Sequence, residues 1–114
     1  MTIKRTPRLL LRGFVAGEYG KRNTITMKSF AGTAQDVSAY TTSKQVICRS
    51  PDGRKTITCT GAYTTDGSDG SLYWSFSSSD PLDRQGLWQL QCVVTKSGGE
   101  LRSYIADMEV DGEL

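Results

Sequence analysis

The side chains most able to do chemistry in this 114-residue chain are its carboxylates, and four of them fall in two close pairs, Asp80 with Asp83 and Asp107 with Glu109. Paired carboxylates carry out glycoside hydrolysis, one as acid and the other as base or nucleophile. Acidic β-proteins offer such pairs by chance, however, and nothing beside these two singles them out. Asp66, Ser68, Asp69 and Gly70 have the oxygen-rich look of a calcium loop. The spacing fails, since an EF-hand loop sets carboxylates at alternate positions before a distant Glu, and a turn is the better reading. Gly20-Lys21-Arg22 lacks the upstream glycine and downstream hydroxyl of a phosphate-binding loop. The chain has no histidine, which removes the commonest general base and the commonest metal ligand together. A non-enzyme is expected, with no catalytic residue, cofactor or metal.

The aromatic residues offer a different chemistry. Trp74 and Trp88, with Tyr63, Tyr73 and Tyr104, have the makings of a sugar-stacking platform. Four of the five sit on the apolar parity of their segments and read as core. Tyr73 alternates with Trp74 and is therefore the aromatic candidate for an exposed contact. Cys48, Cys59 and Cys92 are odd in number, lack CxxC spacing and lie in apolar alternating runs. They read as reduced, buried core thiols, matured in a reducing compartment, rather than as a disulfide with one thiol to spare.

These residues need a scaffold, and the composition restricts it. At this length one domain is expected, burying roughly 65% of its unfolded surface around a single core. Ser and Thr number 25 and Gly 12 against 37% apolar residues, a balance that favours strands over long helices. Residues 87–94 alternate cleanly, with Trp88, Leu90, Cys92 and Val94 on one face. A turn at 97–100 then leads into a second strand over 101–110, making a hairpin in which Tyr104, Ala106, Met108 and Val110 face inward and Ser103, Asp107 and Glu109 outward. Residues 44–49 and 55–63 flank Ser50-Pro51-Asp52-Gly53-Arg54, a second hairpin. Its return strand carries Thr56, Thr58 and Thr60 as a threonine ladder suited to solvent or cross-strand pairing. Further strands are expected over 72–76, 8–15 and 23–30. Residues 32–42 are polar, with Val37 and Tyr40 as anchors, and 79–86 read as one capped helical turn that bridges without packing. The strand count and turn spacing indicate an antiparallel sandwich or barrel of about 6–8 strands.

Charge is distributed unevenly along this scaffold. The chain totals +2, yet residues 1–22 carry Lys4, Arg5, Arg8, Arg12, Lys21 and Arg22 against Glu18 alone, leaving the remainder acidic. Residues 1–14 are therefore a basic arm or edge strand, and 15–114 a single domain. Asp107, Glu109, Asp111 and Glu113 make the other end acidic, so a head-to-tail contact between copies finds complementary charge. Nucleic acid is not expected as a partner, because no Trp or Tyr interleaves with the arm before Tyr19 and the body is acidic. Arg12 and Gly13 interrupt Leu9-Leu10-Leu11, which argues against an export signal, and no run approaches the roughly 18 apolar residues of a membrane span. A soluble chain without membrane contact is expected.

Several of these motifs form a recognisable set. Lys44-Gln45-Val46-Ile47-Cys48-Arg49-Ser50-Pro51-Asp52-Gly53 comes first, then Thr65-Asp66-Gly67 with Gly70, then Asp80-Pro81-Leu82-Asp83 before Gly86-Leu87-Trp88-Gln89-Leu90-Gln91. With Gly17, Gly20 and Asp36-Val37-Ser38-Ala39 ahead of them, their order resembles small immunoglobulin-like bacteriophage and prophage structural proteins. These are similar to the N-terminal domain of BppU-type baseplate upper proteins, and the resemblance covers residues 15–110. It implies an immunoglobulin-like β-sandwich that is made in the bacterial host cytoplasm and assembled into the virion. The implied partners are other virion proteins of capsid, neck, tail or baseplate, with a homo-oligomer expected. The antibody signature itself is absent, since Tyr63 and Leu90 occupy the regions of its core Trp and pre-cysteine Tyr. No fibre or shaft follows the shared pattern in this sequence, which argues against direct receptor binding. The basic segment ahead of it suggests docking on a larger lattice through Lys4, Arg5, Arg8, Arg12, Lys21 and Arg22, with Tyr73 as a further contact. The competing expectation is a carbohydrate-binding or adhesive sandwich that uses exposed aromatics.

Overall fold

The computed structural model describes residues 9–28, 33–103 and 105–112. Among them are nine strands and no helix: β1 (Leu10–Val15), β2 (Asn23–Thr26), β3 (Ser43–Arg49), β4 (Thr56–Thr60), β5 (Ala62–Tyr63), β6 (Ser71–Trp74), β7 (Gly86–Lys96), β8 (Gly99–Arg102) and β9 (Ala106–Asp111). The first sheet runs β1-β9-β7-β3-β4, with β8 also paired to β7, and the second runs β2-β6-β5. The protein is an all-β sandwich. The order β9-β7-β3 with β4 at the edge, facing β2-β6-β5, is that of a variable-type immunoglobulin sandwich, while β1 lies beside β9 rather than in the second sheet.

Alternation explains how the two sheets close on each other. Trp88, Leu90, Cys92 and Val94 of β7, Val46 and Cys48 of β3, and Ala106, Met108 and Val110 of β9 line the inner face of the first sheet. Ile25, Leu72 and Trp74 answer from the second. The three cysteines are free thiols, all buried. Val37 is buried and Tyr40 packs against the core, so both anchors of the polar stretch hold. The Tyr63 hydroxyl fastens that stretch, lying 2.9 Å from the Val37 carbonyl oxygen and 2.6 Å from that of Tyr40, and donating to one at a time. The Trp88 indole N–H donates to the Arg84 carbonyl at 2.9 Å.

Several elements differ from the sequence reading. The sandwich is not wholly antiparallel, because β1 runs parallel to β9, with Leu10 beside Asp107 and Val15 beside Asp111. Parallel neighbours need a crossover rather than a hairpin, and here almost the entire domain supplies it. The run 55–63 is two strands, since β4 pairs with β3 while β5 pairs with β6 of the other sheet, the chain crossing at buried Gly61. The run 101–110 is also two strands. Between them Ser103 is buried rather than outward, its hydroxyl accepting the Cys92 N–H and its own N–H donating to the Cys92 carbonyl, both at 2.9 Å. These two breaks raise the strand count to nine.

The helical turn over 79–86 is absent. Asp80 N–H donates to the Ser77 carbonyl in a tight turn, after which residues 81–85 form neither helix nor strand. Pro81 biases Asp80 away from helical backbone, and Leu82 is buried in the core, so this loop packs as well as bridges. The inward placement of Tyr104 and the strand ending at 29–30 lie outside the described residues.

Gly70 stands where the loop after β5 is squeezed against two other backbones. Its φ is +72°, and a Cβ there falls 2.6 Å from the Gln35 carbonyl oxygen and 2.8 Å from that of Met27. Gly53 has nearly the same φ, +73°, but open space around it. Gly53→Ala should therefore cost only the left-handed penalty of about 1–2 kcal/mol, and Gly70→Ala clearly more. Urea unfolding of the two variants checks this; equal losses would mean that the backbone squeeze contributes nothing.

Candidate functional site

Of the expected partner-binding cations, the three among the described residues each engage a different group of the same chain. Arg12 projects from β1 onto the exposed side of β9, its Nε 3.5 Å from Glu109. With both groups well exposed such a pair contributes no more than about 1 kcal/mol. Lys21 turns back to β1, donating to the Gly13 carbonyl at 2.6 Å and standing 5.3 Å from the Phe14 ring centre. Arg22 precedes β2, and its guanidinium stacks 3.7 Å from the ring centre of Tyr73 in the second sheet. Tyr73 is accordingly half-buried, with one ring face covered by Arg22. Lys4, Arg5 and Arg8 lie outside the described residues.

This geometry alters the role of the oppositely charged ends. Read from sequence, they suit head-to-tail contact between copies. In the fold β1 lies along β9 of the same chain, so basic and acidic segments already face one another, Arg12 against Glu109.

The carboxylate pair Asp80 and Asp83 is also held by cations. Lys55 Nζ is 3.2 Å from a carboxylate oxygen of each. Arg84 donates to Asp83 through Nε at 2.9 Å and through Nη2 at 3.0 Å, and reaches Asp52 through Nη1 at 2.9 Å. The Arg84 hydrogen bonds, and next those of Lys55, pull the Asp83 carboxyl down to about 2. Asp52 is lowered as well, first by the Ser50 hydroxyl and then by the Arg54 N–H. A hydrolytic general acid needs the opposite shift. What the cluster does is join the β3–β4 turn to the loop that precedes β7.

Asp66 accepts the Ser68 N–H at 2.9 Å and the Ser68 hydroxyl at 2.6 Å, which lowers its pKa. Asp69 accepts the Ser71 N–H at 3.0 Å. Both carboxylates thus act within the turn. Among the described residues no group of three or more His, Cys, Asp or Glu side chains is placed to hold a metal ion.

Both tryptophans are in the core, which removes the two largest rings from any sugar platform. A shallow depression at one end of the sandwich is floored by Phe14, Phe76 and Leu82 and rimmed by Tyr19 and Lys21. Its cavity of about 10 Å³ holds about one water, far short of a small-molecule site. Tyr19 is 63% exposed and was not singled out by sequence. The available signal was its position between Gly17 and Gly20, both at positive φ, which turn the loop outward. On the outer face of the first sheet the exposed Thr56, Thr58 and Thr60 continue into Gln45, Arg49 and Gln89.

No protein-family model matches this chain, and no curated protein does.

The Asp83 shift fixes an acid limb of stability. A carboxylate whose folded pKa lies below its unfolded value of 3.8 adds stability that is fully present above that value and lost as pH falls through about 2. The advantage of the unchanged protein over Asp83→Asn should therefore be present at about pH 5, much reduced at about pH 2 and gone by about pH 1, as read by urea midpoints. A difference that stays constant with pH would show that the ion cluster does not stabilise the fold.

Proposed function

We propose that this protein is a non-enzymatic structural module of a bacteriophage particle, docking on a larger symmetric ring or lattice of capsid, neck, tail or baseplate. The supporting observation is how the segments that resemble phage structural proteins fall within the sandwich. Residues 44–53 are β3 and its turn, Gly67 and Gly70 are the positive-φ points of the loop before β6, and residues 86–91 are the first half of β7. The motifs fall on turns and central strands of one domain, as the resemblance implies. Carboxylates held by cations, and a depression with room for only about one water, favour assembly over catalysis.

The basic segment ahead of β1 is the docking element in this reading, with the polar outer face of the first sheet as a second surface. Short basic extensions convert weak contacts into strong ones when many copies bind the same lattice. The adhesive alternative has less support, because Trp74 and Trp88 are buried and Arg22 covers one face of Tyr73.

Quantitative mass spectrometry of particles purified from the source, referenced to the major shell protein, tests the proposal. Hundreds of copies would identify a surface decoration, and about six, twelve or fifteen a neck, tail or baseplate ring. Absence from the particles would overturn it. Deletion of residues 1–8, which leaves β1 whole, should abolish incorporation while preserving the fold.

A further inference from the structure

β4 ends the first sheet, and β3 is its only strand neighbour among the described residues. The Gly61 N–H donates to Lys44 at 2.8 Å and the Ser50 N–H to Lys55 at 2.9 Å, so hydrogen-bonded pairs bracket the β3–β4 ladder. Antiparallel alternation then places the other bonded pairs at Cys59 with Val46 and at Ile57 with Cys48. Thr56, Thr58 and Thr60, in the intervening pairs, direct their N–H and C=O groups away from β3. All three are exposed.

Sheet edges are ordinarily closed to partners by charged side chains, proline or a bulge. β4 reads Thr-Ile-Thr-Cys-Thr and has none of these. The opposite edge of the sheet does, since β1 carries Arg12 and a register shift between Leu11 and Phe14. The short edge strand β5 has only two residues.

The β4 edge is also complementary to itself. Turned about a two-fold axis through Thr58, it sets Thr58 opposite Thr58 and Thr56 opposite Thr60 of the second copy. In each of these pairs both residues present their free N–H and C=O, so both main-chain bonds can form. Threonine then faces threonine along the outer row, a favourable cross-strand pairing. Lys55 falls opposite Gly61, and no like charges meet.

We infer that a second copy of this chain pairs with this edge, β4 against antiparallel β4, forming one continuous sheet across a two-fold dimer. The contact closes after two copies because each β4 is used up, leaving the guarded β1 strands at the outer ends. A five-residue edge falls in the small, transient class of interfaces. The dimer is therefore sparse in dilute solution and strongly populated where copies are concentrated. It stands apart from the virion reading and is measured on the isolated full chain.

Sedimentation velocity from about 10 μM to about 1 mM should show a dimer fraction that rises with concentration. Thr58→Lys sets two ammonium groups on the two-fold axis and should weaken the dimer about tenfold or more. Thr58→Pro removes an outward N–H without touching the β3 ladder and should do the same. Circular dichroism confirms that each variant is folded, and if the proline variant is not, the lysine variant decides. Replacing Lys4, Arg5 and Arg8 by Ser should leave the dimer intact. The inference is overturned if the unchanged protein stays monomeric to about 1 mM, if folded Thr58 variants dimerise normally, or if the Ser-substituted arm alone abolishes association. None of these outcomes alters the copy number in particles.

Discussion

β7 is the strand on which the first sheet depends. It is eleven residues long and pairs with β3 along one side, while on the other it is shared between β9 near its start and β8 near its end. Its inward residues Trp88, Leu90, Cys92 and Val94 are all but completely buried. The Trp88 indole N–H donates to the Arg84 carbonyl, whereas that of Trp74, also buried, has no acceptor among the described residues. The Trp88 bond fixes the loop before β7. From there Leu82 enters the core and accepts the Gly17 N–H at 2.6 Å, tying in the β1–β2 connection. Asp83 and Arg84 reach the opposite way, to Lys55 and Asp52 of the β3–β4 hairpin. Placement of the surface loops thus follows from core packing.

The strands with a buried face were legible because alternation is a local signal. Trp88, Leu90, Cys92 and Val94 announced β7, and Pro51 with Gly53 announced the turn after β3. The crossing at Gly61 was not legible, for a geometric reason: a strand passing from one sheet to the other keeps its apolar side toward the same interior. Ile57 and Cys59 therefore stay in phase with Tyr63 although they belong to different sheets. Ser103 was misplaced because a hydroxyl that substitutes for a backbone acceptor can be buried, and hydropathy assigns it to solvent. The loop over 79–86 has the cap residues of a helix but answers to Leu82, whose burial outweighs local preference.

The site was less legible than the fold. Candidate residues were chosen by charge and by parity, but their partners are set by tertiary pairing. Nothing local in the sequence reveals that Arg22 lies on Tyr73, that Arg12 faces Glu109, or that Lys55 draws Asp80 and Asp83 together. Many of the described charges meet within the chain, and they organise loops and seams. Along the β4 edge the exposed side chains are hydroxyls, chemistry suited to extending a sheet.

The parallel seam between β1 and β9 has a mechanical consequence. Parallel strands enter and leave at opposite ends, so Leu10, where β1 begins, and Asp111, where β9 ends, lie at opposite ends of the seam. Tension applied between them pulls the two strands lengthwise past each other. The ladder is then loaded in shear, with its bonds sharing the force, instead of being peeled open one bond at a time. A module linked at both ends is for this reason held by its strongest mode of resistance, with Phe14 and Val110 packed beneath the seam that bears the load.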